Sequence, residues 1–328
     1  LYIYDDNKQT IYSSNYNQVV NNPFVKNNKV CKDGLSLYFK LGYVPSGFGL
    51  FKKSYLLPQG SYLVISNNKS SKVKQYFNYS DKPCEKIDEK LSEVIQTSVQ
   101  NELVSDVPIG TFLSGGIDSS IISSYANSHS RINAFNIGFS AKEFDESIVA
   151  EKFALSNNIK FKKKIFDNVN IKQLLEDNIA AFTEPFSDYS SLPTLLLSQF
   201  TKTKATVALS GDGGDELFYG YDRNRKYGRQ ASLMTSSITT KLYRIIKSKL
   251  TNKPLKLPVY ELLSNNNRAL IESNFITGAK SLGKKIMPKI TNNIYLEFLG
   301  NKDKSFNNVK DFQETLRTYE YYYHLQRI

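Results

Sequence analysis

The sequence predicts an α/β protein, a doubly wound parallel sheet preceded by part of a β-rich domain. Three observations predict it. The stretch Val107-Pro108-Ile109-Gly110-Thr111-Phe112-Leu113-Ser114-Gly115-Gly116-Ile117-Asp118-Ser119-Ser120 starts apolar, breaks at two glycines and resumes as a helical pattern. Residues 205–221 repeat that logic, with apolar residues up to Leu209, then Ser210-Gly211-Asp212-Gly213-Gly214-Asp215-Glu216. Between the two, strand-like and helix-like segments alternate. In such sheets ligands lie beyond the carboxyl ends of the strands, where both glycine turns fall.

The chemistry of each turn follows from its residue types. Gly115 and Gly116 allow a sharp turn and close approach of an anion to the backbone. The hydroxyls of Ser119 and Ser120, with the N–H groups at a helix start, suit phosphate oxygens. Asp118 adds one carboxylate, which suits a Mg²⁺ riding on those phosphates. The turn is not of the Walker type, since no Gly-Lys-Ser/Thr follows the glycines. In the second turn Asp212, Asp215 and Glu216 fall within five residues. They repel one another unless a cation or basic partner sits among them.

Residues 1 to about 80 read as short strands and turns. Phe48–Phe51 and Ser61–Ser66 have strand composition, and Pro58-Gln59-Gly60 between them is a turn. Residues 67–85 are polar and read as a linker. Ile87, Leu91, Val94, Ile95, Val99 and Leu103 recur at helical spacing and lead into the first glycine turn.

Beyond that turn a helix continues through Ile121, Ile122 and Tyr125. A buried strand follows over 132–139, then a helix opened by Phe144-Asp145-Glu146-Ser147, with Val149, Phe153 and Ala154 on one face. Residues 161–166 read as a third strand, its lysines suiting an edge, and 171–182 as a helix. Residues 183–194 read as a polar loop before a helix over 195–200. That loop is either a helix start with Pro193 near the first turn or a substrate loop. Beyond Asn224, residues 241–250, 260–272 and 315–327 look helical, the last with a tyrosine-rich face.

The totals narrow the classes. At 328 residues the chain has room for two domains, at the usual ~100–200 residues each. No apolar run reaches the ~18 residues that would span a bilayer. No signal-peptide pattern is visible. Cys31 and Cys84 lack metal-ligand spacing, and with His129 and His324 as the two histidines a Ser/His/Asp triad is disfavoured. A cytoplasmic location is the expectation. The net charge of +12 comes from scattered lysines mixed with Asn, Ser and Ile. It argues for no nucleic-acid partner and no membrane partner.

The motif Ser-Gly-Gly-x-Asp-Ser-Ser at 114–120 resembles the pyrophosphate loop of enzymes that split ATP into AMP and pyrophosphate. With 137–146, 184–194 and 209–221 it resembles the synthetase domain of the glutamine-dependent asparagine synthetases, of the adenine nucleotide alpha hydrolase-like, ATP pyrophosphatase type. Residues 41–46 and 56–63 resemble the last part of that family's glutaminase domain. The resemblance implies residues 1–80 as glutaminase domain and 85–328 as synthetase domain, with pieces missing at both ends. It implies ATP and Mg²⁺ as cofactors, and aspartate with glutamine or ammonia as substrates. It leaves a homodimer open.

Carried over by position, Ser114, Gly115, Gly116, Ser119 and Ser120 would hold pyrophosphate. Asp118 and Asp215 would hold Mg²⁺. Leu113, Ile137, Ser210 and Gly211 would line the ATP site, and Asp212 would stand near the aspartyl intermediate. Asp118, Asp212 and Asp215 are thus the catalytic candidates. The family's glutaminase nucleophile is an N-terminal cysteine, whereas position 1 here is Leu and Cys31 sits in no comparable context. The rivals are an amidotransferase that adenylates another carboxylic acid, such as a sugar acid, a tRNA-modifying enzyme with the same loop, and a fragment kept as an interaction module.

Overall fold

The structure, a computed structural model, describes residues 1–25, 28–66, 69–77, 90–140, 145–222 and 238–251. These divide between two compact units, one drawn from Leu1–Asp81, Phe182–Ser187 and Asp215–Ile328, the other from Lys82–Ala181 and Asp188–Gly214.

The first unit starts with β1 (Tyr2–Asp5), β2 (Thr10–Ser13), α1 (Tyr16–Val20), α2 (Lys32–Leu41) and β3 (Ser54–Leu56). The three strands form an antiparallel sheet in the order β2-β1-β3. Short strands β4 (Ser61–Tyr62), β5 (Ile65–Ser66), β6 (Lys69–Ser70) and β7 (Lys74–Gln75) pair as β4 with β7 and β5 with β6. Several expectations change here: the strand expected over 61–66 splits into β4 and β5, and the stretch expected as a linker from 67 carries β6 and β7. Residues 48–51 form no strand: Phe51 makes one bridge to Val30, and Leu50 accepts a backbone bond from Cys31. Helices α1 and α2 were not expected; α1, Tyr16-Asn17-Gln18-Val19-Val20, is a single turn, too short for its i, i+3, i+4 spacing to stand out.

Tyr16 anchors this unit. It is 1% exposed, its hydroxyl lies 2.7 Å from Ser54 Oγ, and it accepts the Phe51 N–H at 3.0 Å. Burial pushes its pKa up to about 12. The Tyr16 N–H donates to Thr183 Oγ1 at 3.1 Å, and the Ser187 N–H donates to the Gly42 carbonyl at 2.8 Å. The first half of the 183–194 loop is therefore part of this unit.

The second unit contains α3 (Leu91–Glu102), β8 (Ile109–Phe112), α4 (Ile117–His129), β9 (Asn133–Phe139), α5 (Ser147–Ser156), β10 (Lys160–Phe166), α6 (Ile171–Ala181), α7 (Ser191–Thr201) and β11 (Val207–Leu209). Its four strands are all parallel, in the order β10-β9-β8-β11. The expected strand over 132–139 and the strand and helix over 161–182 agree to within a residue or two. The α7 helix begins four residues earlier than expected, so Pro193 lies inside its first turn, where its missing N–H costs no intrahelical bond.

Neighbouring residues on a strand point to opposite faces. Ala134 on β9 packs with Leu113, Ile159 and the α5 residues Ala150 and Ala154. Phe135, next along, meets Phe200 of α7 edge-on at 5.7 Å. Thr111, register partner of Ala134, bonds Ser123 of α4 at 2.9 Å. Helices α4 and α5 thus cover one face and α7 the other, which makes the sheet doubly wound. On α5 the buried residues are Ser147, Ala150 and Ala154, with Phe153 packed against the same cluster; of the expected face only Val149, 57% exposed, is corrected. A second cluster joins Val99 of α3, Ala126 of α4 and Ile132. Ile87 and Phe144 lie outside the described residues.

Two further helices are α8 (Gly214–Phe218) and α9 (Ile238–Thr251). The helices expected at 260–272 and 315–327 lie outside the described residues.

Candidate functional site

The chain lays down β8, β9 and β10 in one direction across the sheet and then returns to place β11 on the other side of β8. The strand order reverses at β8 and β11, so the crevice for a ligand opens beyond their carboxyl ends. Both glycine turns begin there.

The turn after β8 is bonded within itself. The Ser114 and Ser119 hydroxyls are 2.9 Å apart, and the Ser114 N–H donates to Ser119 Oγ at 3.2 Å. The Gly116 N–H donates to Ser114 Oγ at 3.2 Å, and Ser119 Oγ donates to the Gly116 carbonyl at 3.2 Å. Gly115 takes φ of +86°, a left-handed conformation that a side chain would strain. Gly116 then starts α4, whose first N–H groups lack intrahelical acceptors and favour an anion. Ser119 and Ser120 are buried, and the Ser120 N–H already closes the helix on Gly116 at 3.0 Å.

Leu113 is 1% exposed within the apolar cluster under the turn. Its N–H donates to Phe135 at 3.0 Å and its carbonyl accepts Asn136 Nδ2 at 2.8 Å, so it forms the floor of the turn. Asn136 is a residue that sequence reasoning passed over. Nothing in an apolar strand pattern marks one asparagine as the tie that fixes the start of the loop. Ile137, half-buried, follows it on β9.

The turn after β11 lies against the first. A Cβ at Gly211 would come within 2.7 Å of the Ser119 backbone nitrogen. One at Gly214 would come within 2.5 Å of Asp118 Cγ, so the half-buried Asp118 carboxylate occupies the space over a bare backbone. Asp212 is exposed, and its carboxylate accepts the Ser210 hydroxyl at 2.8 Å.

Asp215 and Glu216 follow in the first turn of α8. Asp215 is half-buried, whereas Glu216 is 2% exposed and accepts the Tyr221 hydroxyl at 2.5 Å. Two of these acids have a hydrogen-bond partner in the same segment, Asp212 a serine and Glu216 a tyrosine. Among the described residues no three His, Cys, Asp or Glu side chains are grouped to hold a metal ion. A Mg²⁺ carried in on substrate phosphates needs only one or two protein carboxylates. Asp118, beside the close-packed glycines, fits that requirement.

No helix among the described residues is long and apolar enough to cross a membrane.

The asparagine synthase family model matches residues 90–315. A putative glutamine-hydrolysing asparagine synthetase 2 of Methanocaldococcus jannaschii is 33% identical over 236 residues, covering 67% of this chain and 44% of that protein. Glutamine-hydrolysing asparagine synthetase 1 of Bacillus subtilis is 33% identical over 203 residues, covering 60% of this chain and 32% of that protein. The chain thus spans less than half the length of these relatives. An NH3-dependent NAD synthetase structure from Campylobacter jejuni overlaps 61% of this chain and 93% of its own, at TM-score 0.29 and 15% identity, too weakly to carry an argument. Both glycine turns, and the strands that bring them together, fall inside the matched span, and the chain belongs to the asparagine synthase family.

Proposed function

We propose that the protein carrying this chain makes asparagine from aspartate, ATP and ammonia derived from glutamine. Residues 1–80 are read as the end of a glutaminase domain and 85–328 as the synthetase domain. The observation that supports this best is the packing of Gly211 and Gly214 against Ser119 and Asp118 at the sheet's reversal point. Phosphates there meet backbone N–H groups and a carboxylate at once.

In this reading the aspartate side-chain carboxylate attacks the α-phosphorus of ATP. The bond from that phosphorus to the bridging oxygen breaks, and pyrophosphate leaves. The resulting β-aspartyl-AMP has an activated acyl carbon. Ammonia attacks it, loses a proton, and AMP departs with the C–O bonding pair.

The chain's own residues bind and orient. Gly115, Gly116 and the α4 N–H groups receive the departing pyrophosphate, with Ser114, Ser119 and Ser120 holding the turn's shape. Donors fixed before the reaction and aimed where charge develops contribute most to catalysis of this kind. Ile137, Ser210 and Gly211 border the nucleotide, and Leu113 supports it from below. Asp212 stands near the acyl group. Asp118 and Asp215 are the residues that would hold Mg²⁺, which would neutralise charge on the phosphates.

The test is pyrophosphate release by the full-length protein, with aspartate and sugar acids compared as acceptors. Release that depends on aspartate supports the reading. Release with a sugar acid but not with aspartate replaces it with the amidotransferase of another acid.

A further inference from the structure

We propose that Gly220 is a positioning residue that fixes the direction of the Asp215 carboxylate; the inference rests on the reading of Asp215 given above. Helix α8 ends in an unusual cap. The Gly220 N–H donates to the Asp215 carbonyl at 3.1 Å, the six-to-one bond of a Schellman-type cap. The residue in between, Tyr219, takes φ of +58°. In such caps the left-handed position is the one that favours glycine, since a Cβ there strains the backbone. This chain has tyrosine at that position and glycine at the next, where φ is not positive.

The usual reason for a glycine is therefore absent at Gly220, and clearance supplies another. A Cβ on Gly220 would collide with Oδ1 of Asp215 and come within 2.9 Å of its Cγ. The carboxylate of Asp215 lies over the bare Gly220 backbone. On the same turn, the Tyr221 hydroxyl donates to the buried Glu216 carboxylate at 2.5 Å and ties the chain after Gly220 back to α8. Strained positions of this kind cluster at functional sites, and here one adjoins a carboxylate read as part of the site.

The two nearest atoms belong to the end of a side chain, and the third, Asp215 Cα at 3.2 Å, needs to give by only a few tenths of an ångström, so an added methyl turns the carboxylate aside instead of unfolding the helix. In the full-length protein, Gly220→Ala should lower aspartate-dependent pyrophosphate release by about 10–100-fold, the scale of a misplacement near 1 Å. It should also shrink the rise in Tm caused by adding Mg²⁺ with ATP, while the Tm of the ligand-free protein stays within about 3 °C. In an Asp215→Ala background Gly220→Ala should add nothing, because the group it displaces is gone. Full additivity of the two changes, or wild-type release by Gly220→Ala beside an impaired Asp215→Ala, would overturn the inference. A crystal structure of Gly220→Ala reads the carboxylate without any reaction. Asp215 turned off the Gly220 backbone supports the positioning role even if no acid releases pyrophosphate, a result that would sink the functional reading instead. Asp215 unmoved refutes the role outright.

Discussion

In the turn after β8, Ser114, Gly116 and Ser119 bond to one another through hydroxyls and backbone. In the turn after β11 the described bonds are fewer: Ser210 with Asp212, and the Gly214 N–H to Gly211 at 3.2 Å. The first turn keeps its shape by its own chemistry. The second is shaped by what lies against it, since Gly211 and Gly214 have the Asp118–Ser119 backbone and carboxylate where side chains would be. The two share a pattern in the sequence but not a source of rigidity. A hydroxyl network preorganises donors, whereas a close-packed glycine admits a neighbour's charge.

That contrast can be broken experimentally, and the largest effect is expected where both turns meet. Asp118→Ala should lower pyrophosphate release by about 10²–10³-fold, the cost of losing one preorganised charged group, with the melting curve essentially unchanged. Release at the wild-type rate would show that the carboxylate between the turns has no part in the reaction.

Gly211→Ala should come next. Its Cβ would sit 2.7 Å from backbone, which cannot swing away. Stability should fall by about 1–3 kcal/mol from overpacking, with activity lost in step, as chemical denaturation and release assays would register. A variant as stable as the parent would mean that the turns are not packed together.

Ser119→Ala and Ser210→Ala then sharpen the comparison. Ser119 is buried and joined to Ser114 and Gly116, so its loss should cost about 1–3 kcal/mol for polar groups left without partners. Ser210 bonds the exposed Asp212, and its loss should cost about 0.5 kcal/mol or less. Equal costs in urea titrations would erase the distinction between the two turns.

A control outside both turns, silent at neutral pH, is Tyr16. Tyr16 keeps its proton to about pH 12 when folded, while the unfolded chain ionises near 10. Above pH 10 the unfolded state therefore binds fewer protons, and folding stability declines as pH rises from 10 to 12. Tyr16→Phe should flatten that decline in a pH series of melting temperatures. At the acid end, hydrogen bonds from Ser147 hold the Asp145 carboxyl below its ordinary value. Its contribution is present above the unfolded pKa and is lost as pH falls through the folded one.

Much of the sheet was legible because its strands carry apolar and aromatic residues bounded by polar turn residues. Residues 132–139 and 161–166 could be read almost to the residue, and the lysines of β10 do sit on an edge strand. The N-terminal region was less legible. Its strands run two to four residues, too short for a period to show, and α1 spans five residues. The loop over 183–194 misled for another reason. Its first part bonds Tyr16 and Gly42, more than a hundred positions away, and its last part is already helix. Composition carries no record of either.

The sequence by itself determined that two apolar runs end in glycine turns, one rich in hydroxyls and one in acids, because turn geometry depends on local residue types. It also determined the alternation of strand and helix that makes a parallel sheet. Only the tertiary structure decided that β11 pairs with β8 rather than continuing past β10, which brings Gly211 and Gly214 against Asp118 and Ser119. It alone set Asp212 on Ser210 and buried Glu216 against Tyr221. Pairing order and burial are set by packing between residues distant in the chain, and no local pattern encodes which distant neighbour will fill the space over a glycine.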